Sequence, residues 1–130
     1  MEYLNEPKTS ASGPVIVVED DEAVRSALAF ALRLEGFDVV DYGGAFDLLA
    51  DRKFPIKGCL VIDYHMPLVD GIDLLQCLRS RSILIPAILL TDKITNAVRT
   101  NATRAGFLRV LEKPLDDSSL VDSIRAALAR

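Results

Sequence analysis

Short apolar runs alternate with amphipathic stretches along most of the chain. Three of the runs, Val15–Val18, Cys59–Ile62 and Ala87–Leu90, contain only apolar residues. Such runs, bounded by turn residues, are typical of strands buried on both faces of a sheet. Two further predicted strands, Phe37–Tyr42 and Phe107–Leu111, contain charged residues, so we expect them at the edges of the sheet.

Helical apolar spacing fills the intervals between the strands. It predicts five helices, at Glu22–Glu35, Ala45–Arg52, Gly71–Ser80, Ile94–Ala105 and Asp116–Ala129. Strict alternation of strand and helix predicts an α/β fold with a doubly wound, five-stranded parallel sheet. With the apolar strands central and the charged strands at the edges, the strand order becomes 2-1-3-4-5.

Length and composition fit one small domain. The chain has 130 residues, half of them hydrophobic. We expect a flexible N-terminal tail over residues 1–13, because of its Ser, Gly and Pro content, and one domain over residues 14–130. A net charge of −4 argues against direct nucleic-acid binding. We expect neither a signal peptide nor a membrane span, and two isolated cysteines suit a reducing, cytoplasmic compartment.

Acidic residues follow two of the predicted central strands. Glu19 and Asp20 come directly after the first strand, and Asp63 ends the third. The strand order puts these ends side by side at the carboxyl edge of the sheet, where α/β proteins usually bind ligands. Clustered carboxylates suit a hard cation such as Mg²⁺ or Mn²⁺. The adjacent acids Asp21 and Glu22 have a simpler interpretation, since one of them would cap the following helix.

Two polar residues follow the remaining central and edge strands. Thr91 ends the fourth strand and Lys113 follows the fifth, so a hydroxyl and an ammonium reach the same edge. Taken singly, Thr91 is most simply a strand-end residue and Lys113 a solvated charge. Together with a metal ion, an ammonium offsets the charge of a transferring phosphoryl group, which makes Asp63 a candidate phosphoryl acceptor.

Five motifs, taken in order, resemble the receiver domain of two-component response regulators, a flavodoxin-like fold of five βα units. They are Val17-Val18-Glu19-Asp20-Asp21-Glu22, Val61-Ile62-Asp63-Tyr64-His65-Met66-Pro67 with Asp70-Gly71, Leu90-Thr91, Ala105-Gly106 and Glu112-Lys113-Pro114. Each motif alone is weak, but their order and their places on the predicted elements are strong together. The resemblance covers about residues 14 to 129.

The resemblance implies a role for each residue of the predicted site. Asp63 would accept the phosphoryl group, and Thr91 would hydrogen-bond the phosphoryl oxygens. Lys113 would pair first with Asp63 and then with the phosphoryl group, and the bond between Lys113 and Pro114 is often cis in this family. The Mg²⁺ ligands would be Asp20, Asp63 and the backbone carbonyl of His65, with Glu19 acting directly or through water.

The resemblance also implies the partners. A sensor histidine kinase or a phosphotransfer protein would supply the phosphoryl group. The domain would promote only its own phosphorylation and dephosphorylation, so it would not be an enzyme acting on another substrate. A homodimer would form through the face of the fourth helix, fifth strand and fifth helix.

Three residues depart from the pattern of the family. Asp92 follows Thr91 where receivers usually have a small residue, and it adds negative charge beside the phosphoryl site. Val110 occupies the position of an aromatic residue that reorients in many receivers, and valine cannot reproduce that movement. Phe107 is bulky where a small residue is common, so we expect its ring to pack against the fourth helix.

Two functional hypotheses follow from these residues. In the first, the chain is a phospho-accepting receiver that switches conformation to control an output. In the alternative, it is an atypical, non-phosphorylated receiver that acts as a protein-interaction or dimerisation module, with Asp92 and Val110 as signs of lost switching. A Mg²⁺ hydrolase of the haloacid-dehalogenase type is disfavoured, because it needs a second Asp where this chain has His65.

Overall fold

Strands and helices alternate five times in the computed structural model, which describes residues 12–116 and 118–130. The strands are β1 (Val15–Val18), β2 (Val39–Tyr42), β3 (Cys59–Asp63), β4 (Ala87–Thr91) and β5 (Arg109–Glu112). The helices are α1 (Glu22–Leu34), α2 (Ala45–Ala50), α3 (Gly71–Ser80), α4 (Asn96–Ala105) and α5 (Ser119–Leu128). The predicted order of elements is confirmed.

All five strands are parallel and form one sheet in the order β2-β1-β3-β4-β5. This confirms the predicted fold class and strand order. Every residue of β1, β3 and β4 is buried, and the polar ones, Asp63 and Thr91, lie at the carboxyl ends. The edge strands expose Asp41 in β2 and Arg109 in β5, which explains why charged residues are tolerated there.

Alternate residues of the central strands face two separate apolar layers. Ile16 and Leu60 contribute to the layer that contains α2, α3 and α4. Val15 and Val61 contribute to the layer that contains α1 and α5. Because both faces of the sheet are covered, the open ends of the strands are where polar side chains can gather.

The start of α4 and of β5 differs from the prediction. α4 begins at Asn96 rather than Ile94, because the Thr95 side chain accepts a hydrogen bond from the N–H of Val98 (3.1 Å) and caps the helix there. β5 begins at Arg109 rather than Phe107. Phe107 is instead buried in the α2–α4 layer after Gly106 ends α4, so its ring packs beside α4 as expected.

The remaining boundaries either agree with the prediction, as for α3, or differ by one to three residues, which is ordinary for element ends. α5 begins at Ser119 rather than Asp116. α2 ends at Ala50 rather than Arg52, because Asp51 adopts an extended conformation and accepts a hydrogen bond from the N–H of Lys53 (2.8 Å). β2 begins at Val39, two residues later than predicted.

Most of the predicted N-terminal tail, residues 1–13, lies outside the described residues. Within its last two positions, Gly13 is buried, and a Cβ there would lie 2.5 Å from the carbonyl oxygen of Lys57. This close approach ties the start of β1 to the loop before β3. Across the part of the chain that is described, no helix has both the length and the hydropathy of a membrane span.

Candidate acidic site at the carboxyl edge of the sheet

Parallel pairing of β1 with β3 brings the acids of both strands together. Val18 pairs in register with Ile62, so Glu19 and Asp63 come next to each other at the strand ends. Glu19 is only 4% exposed and Asp63 only 3% exposed. One carboxylate oxygen from each of Glu19, Asp20 and Asp63 lies within 4.8 Å of the others. The predicted acid cluster therefore exists as a compact group.

The donor set and the space around it fit a divalent cation. Asp20 is exposed and lines a cleft of about 440 Å³ together with His65. Carboxylate oxygens beside an open cleft suit Mg²⁺, which takes few carboxylates and retains several waters. The His65 side chain is exposed and its ring meets the ring of Tyr64 edge-on (centroids 4.8 Å apart), so the side chain itself stands apart from the acid cluster.

β5 delivers Lys113 to the same place. The backbone N–H of Lys113 donates to the carbonyl oxygen of Thr91 (2.8 Å), which continues the β4–β5 pairing by one residue. The Lys113 ammonium donates to Oδ1 of Asp63 and lies 3.7 Å from Oε1 of Glu19. One ammonium thus bridges acids from two strands. The bond between Lys113 and Pro114 is cis, as the resemblance implied.

Thr91 ends β4 beside Asp63 and is 1% exposed. Its hydroxyl donates to the backbone oxygen of Lys93 (3.3 Å), so the side chain is engaged by the loop that follows it. Asp63, Glu19, Asp20, Thr91 and Lys113 are therefore all gathered at one edge of the sheet.

Burial and neighbouring charge shift the ionisation of the central groups. Burial is the main cause that raises the pKa of Asp63, with the charges of Asp20 and Asp92 adding to it and the Lys113 hydrogen bond opposing it. Burial likewise raises the pKa of Glu19. For Lys113, burial acts to lower the pKa, but the hydrogen bond and charge of Asp63, with Glu19 and Asp92, outweigh it and raise the pKa above its usual range.

Two of the three residues that depart from the family pattern, Asp92 and Val110, lie in different places, one directly after β4 and the other in β5. Asp92 is exposed directly after Thr91, and its charge acts on both Asp63 and Lys113. Val110 is partly buried, pairs with Leu89, and packs against the α2–α4 layer. Asp92 is therefore an electrostatic neighbour of the site, whereas Val110 belongs to the apolar packing on the α4 side.

Three structural residues of the site were missed or only partly interpreted from the sequence. A Cβ at Gly71 would lie 2.6 Å from the carbonyl oxygen of Asp63, so only glycine lets α3 start this close to β3. Asp70 caps α3 and exchanges hydrogen bonds with Asp73. Glu112, which was given no role of its own, accepts a hydrogen bond from the N–H of Ile94 (2.7 Å). The parallel register, with Thr91 opposite Glu112, is the signal that points to it.

The N-cap of α1 follows the simpler interpretation of the first acidic run. The side chain of Asp21 accepts a hydrogen bond from the N–H of Val24 (3.1 Å), and Glu22 lies in the first turn. The run therefore divides into two acids for the site and two for the helix.

A doubly wound parallel sheet that carries three acids, a threonine and a lysine at its carboxyl edge is typical of a signalling receiver domain. The family model of the response regulator receiver domain matches residues 15–125. The chain therefore belongs to the response regulator receiver domain family. Since its acidic site is completely assembled, the alternative of a degenerate, non-phosphorylated module is not favoured.

Several of the relatives and solved structures that match are named FixJ. The transcriptional regulatory protein FixJ of Azorhizobium caulinodans is 36% identical over 118 residues, covering 90% of this chain and 56% of the relative. The crystal structure of FixJ-N superposes with a TM-score of 0.80 at 34% identity, covering 90% of this chain and 94% of that one.

Full-length FixJ from B. japonicum is also similar in structure. It superposes with a TM-score of 0.82 at 32% identity, covering 90% of this chain and 58% of that chain. The chain thus spans a little over half the length of the curated relatives it matches.

Proposed function

We propose that Asp63 accepts a phosphoryl group from the phosphohistidine of a sensor histidine kinase or a phosphotransfer protein. A carboxylate oxygen of Asp63 attacks the phosphorus, the bond from phosphorus to the histidine nitrogen breaks, and an acyl phosphate forms on Asp63. The observation that carries this proposal is the contact of the Lys113 ammonium with a buried Asp63 carboxylate beside two further acids.

Mg²⁺ or Mn²⁺ is the proposed cofactor. Its ligands would be Asp20, Asp63 and the backbone carbonyl of His65, with Glu19 bound directly or through water. When bound, the ion offsets the negative charge that gathers on the transferring group. The cleft beside Asp20 supports this assignment, because it leaves room for the ion's waters.

Lys113 and Thr91 are proposed to act on the phosphoryl oxygens. The ammonium of Lys113 already touches Asp63, so it can follow the charge from the carboxylate to the new phosphoryl group without leaving the site. Thr91 has a single hydroxyl proton, which it now donates to Lys93. Donation to a phosphoryl oxygen would release that bond and change the loop between β4 and α4.

The domain is proposed to control transcription, because its FixJ relatives are named transcriptional regulatory proteins. The output would belong to a further domain or to a separate protein, and this domain would not bind nucleic acid itself. It would promote only its own phosphorylation and dephosphorylation.

A homodimer through α4, β5 and α5 would use a face that exposes Arg99, Arg104 and Arg109. Two free cysteines, Cys59 and Cys77, favour the cytoplasm.

Phosphorylation by a small donor tests the proposal directly. The protein is incubated with acetyl phosphate and Mg²⁺, and intact mass is measured alongside Asp63→Asn and Asp73→Asn. We expect the wild type and Asp73→Asn to gain the mass of one phosphoryl group and Asp63→Asn to gain none. A wild-type protein that stays unmodified, or an Asp63→Asn variant that is modified equally, would rule out Asp63 as the acceptor.

A further inference from the structure

The side chain of Glu112 joins β5 to the loop between β4 and α4. Its Oε1 accepts a hydrogen bond from the backbone N–H of Ile94 at 2.7 Å. Glu112 pairs in register with Thr91, and the N–H of the next residue, Lys113, donates to the Thr91 carbonyl oxygen. The carboxylate is therefore anchored beside the two residues that are expected to handle the phosphoryl oxygens.

The loop Asp92–Thr95 is held at three points. At its start, the Thr91 hydroxyl donates to the oxygen of Lys93 (3.3 Å). At its end, the Thr95 side chain caps α4. Between these points, the N–H of Ile94 donates to the exposed carboxylate of Glu112, and a hydrogen bond to an ionised acceptor is stronger than one to a neutral acceptor.

We propose that Glu112 is a positioning residue that holds this loop in the arrangement where Thr91 stays bonded to Lys93, and so opposes phosphoryl uptake at Asp63. The inference rests on the proposed function of Asp63. Thr91 has one proton to donate and cannot serve Lys93 and a phosphoryl oxygen together. The hydrogen bond from Ile94 to Glu112 stabilises the first of these two arrangements, and it shifts the equilibrium between them accordingly.

This link offers an alternative to the usual aromatic residue on β5. Val110 packs into the α2–α4 layer and has no ring that could change position with the loop. Glu112 lies on the same strand, two residues further on, and contacts the loop directly. The state of the loop would therefore be set through a hydrogen bond to β5 rather than through the position of a ring.

The affinity for beryllofluoride, a phosphoryl mimic, tests the inference when measured with Mg²⁺ present. We expect Glu112→Ala to bind it about fivefold more tightly, the factor that corresponds to one ordinary hydrogen bond. Glu112→Gln keeps an oxygen that can accept from Ile94, so its affinity should remain near that of the wild type. In a Thr91→Ala background, Glu112→Ala should have no effect, because no hydroxyl remains to draw the loop inward.

The backbone amide resonance of Ile94 gives a second readout, which is measured first without ligand and then with beryllofluoride. In the wild type without beryllofluoride, it should carry the downfield shift of a charge-assisted hydrogen bond. That shift should disappear in Glu112→Ala, and in the wild type once beryllofluoride binds. Glu35→Ala is the matched control, since it removes an exposed carboxylate that meets Arg125 (3.4 Å) on the α1–α5 side, and it should change neither readout.

Several outcomes would overturn the inference. The inference is wrong if Glu112→Ala binds beryllofluoride no more tightly than the wild type, or if its gain persists in the Thr91→Ala background. Equal gains in Glu112→Ala and Glu112→Gln would assign the effect to charge alone and also contradict it. A wild-type protein that neither binds beryllofluoride nor takes a phosphoryl group from acetyl phosphate would overturn the proposed function itself, and this inference with it.

Discussion

The ammonium of Lys113 donates a hydrogen bond to the carboxylate of Asp63, across 50 positions of the chain. Two parallel strands, β3 and β5, are separated by β4 in the sheet, and the long lysine side chain spans that gap. The same ammonium lies 3.7 Å from Glu19. One lysine from a distant part of the chain therefore offsets the charge of two buried acids.

Replacing that cation should destabilise the fold. In Lys113→Gln, the carboxylates of Asp63 and Glu19 stay buried without their ammonium. We expect the free energy of unfolding to fall by about 1–3 kcal/mol in Mg²⁺-free buffer, because a buried charge then lacks its partner. Urea denaturation measures this, and Lys57→Gln, an exposed lysine away from the site, is the control. Equal losses in both variants would contradict the expectation.

Mg²⁺ should stabilise the folded protein through the acid cluster. At about 100 times its dissociation constant, the ion should add about 2.7 kcal/mol to the free energy of unfolding. Asp20→Asn should lose most of this gain. Asp21→Asn is a close control, because asparagine keeps the N-cap of α1 while removing one adjacent charge. Thermal unfolding with and without Mg²⁺ decides the matter, and a gain that survives in Asp20→Asn would argue for another site.

Asp92 should weaken phosphorylation. Its carboxylate lies close enough to act on Asp63 and Lys113, and a phosphoryl group adds negative charge to Asp63. We expect Asp92→Asn to reach a higher fraction phosphorylated by acetyl phosphate, by about threefold, with a smaller difference at high salt. Asp122→Asn on α5 controls for lost surface charge. The expectation fails if the two variants are phosphorylated to the same extent.

Adding one methyl group at Gly71 should disturb the site, because Gly71 packs against the end of β3. The new Cβ in Gly71→Ala would lie 2.6 Å from the carbonyl oxygen of Asp63, so α3 or the end of β3 has to move. We expect a loss of about 1–3 kcal/mol in the free energy of unfolding and weaker Mg²⁺ binding. Gly44→Ala meets open space at φ 167°, an extended conformation, and should cost much less. Similar costs for both would contradict the close packing.

Acid should stabilise this site when Mg²⁺ is absent. The pKa of Asp63 and of Glu19 is raised by burial, so each carboxyl binds its proton more tightly in the folded chain than in the unfolded one. Their contribution to stability is thus present at low pH and is lost as the pH rises through the raised pKa. We expect Asp63→Asn to flatten the fall in unfolding free energy between acidic and neutral pH. Parallel profiles for the variant and the wild type would contradict this.

Much of the fold could be predicted because its strands carry unambiguous patterns. In the apolar runs at Val15–Val18 and Cys59–Ile62, the side chains on both faces of the strand are apolar. Such strands are typically covered on both faces of the sheet, and this predicted that they are central. Once the order of the strands followed, the meeting of Glu19, Asp20 and Asp63 was a consequence of parallel geometry.

Other features of the structure depend on contacts between residues that only folding brings together, and the pattern of apolar and polar residues does not reveal these contacts. The start of α4 was misplaced because Ile94 is apolar and suits a helix, whereas the Thr95 cap decides the boundary. Gly71 was predicted only as a helix-start residue, since its approach to the carbonyl oxygen of Asp63 exists only after folding. Glu112 was missed for the same reason, because its partner Ile94 lies in the loop between β4 and α4, 18 residues away in the sequence.

The helices are divided between the two faces of the sheet, so a response to the proposed phosphorylation of Asp63 would be one-sided. The loop Asp92–Thr95 leads into α4, whose apolar residues share a layer with α2 and α3. α1 and α5 pack in the opposite layer. A protein docked on α4 would therefore sense the occupancy of Asp63, whereas one docked on α1 would be blind to it. If Asp63 is phosphorylated as proposed, the partner that delivers the phosphoryl group and the partner that responds to it could bind to separate surfaces at the same time.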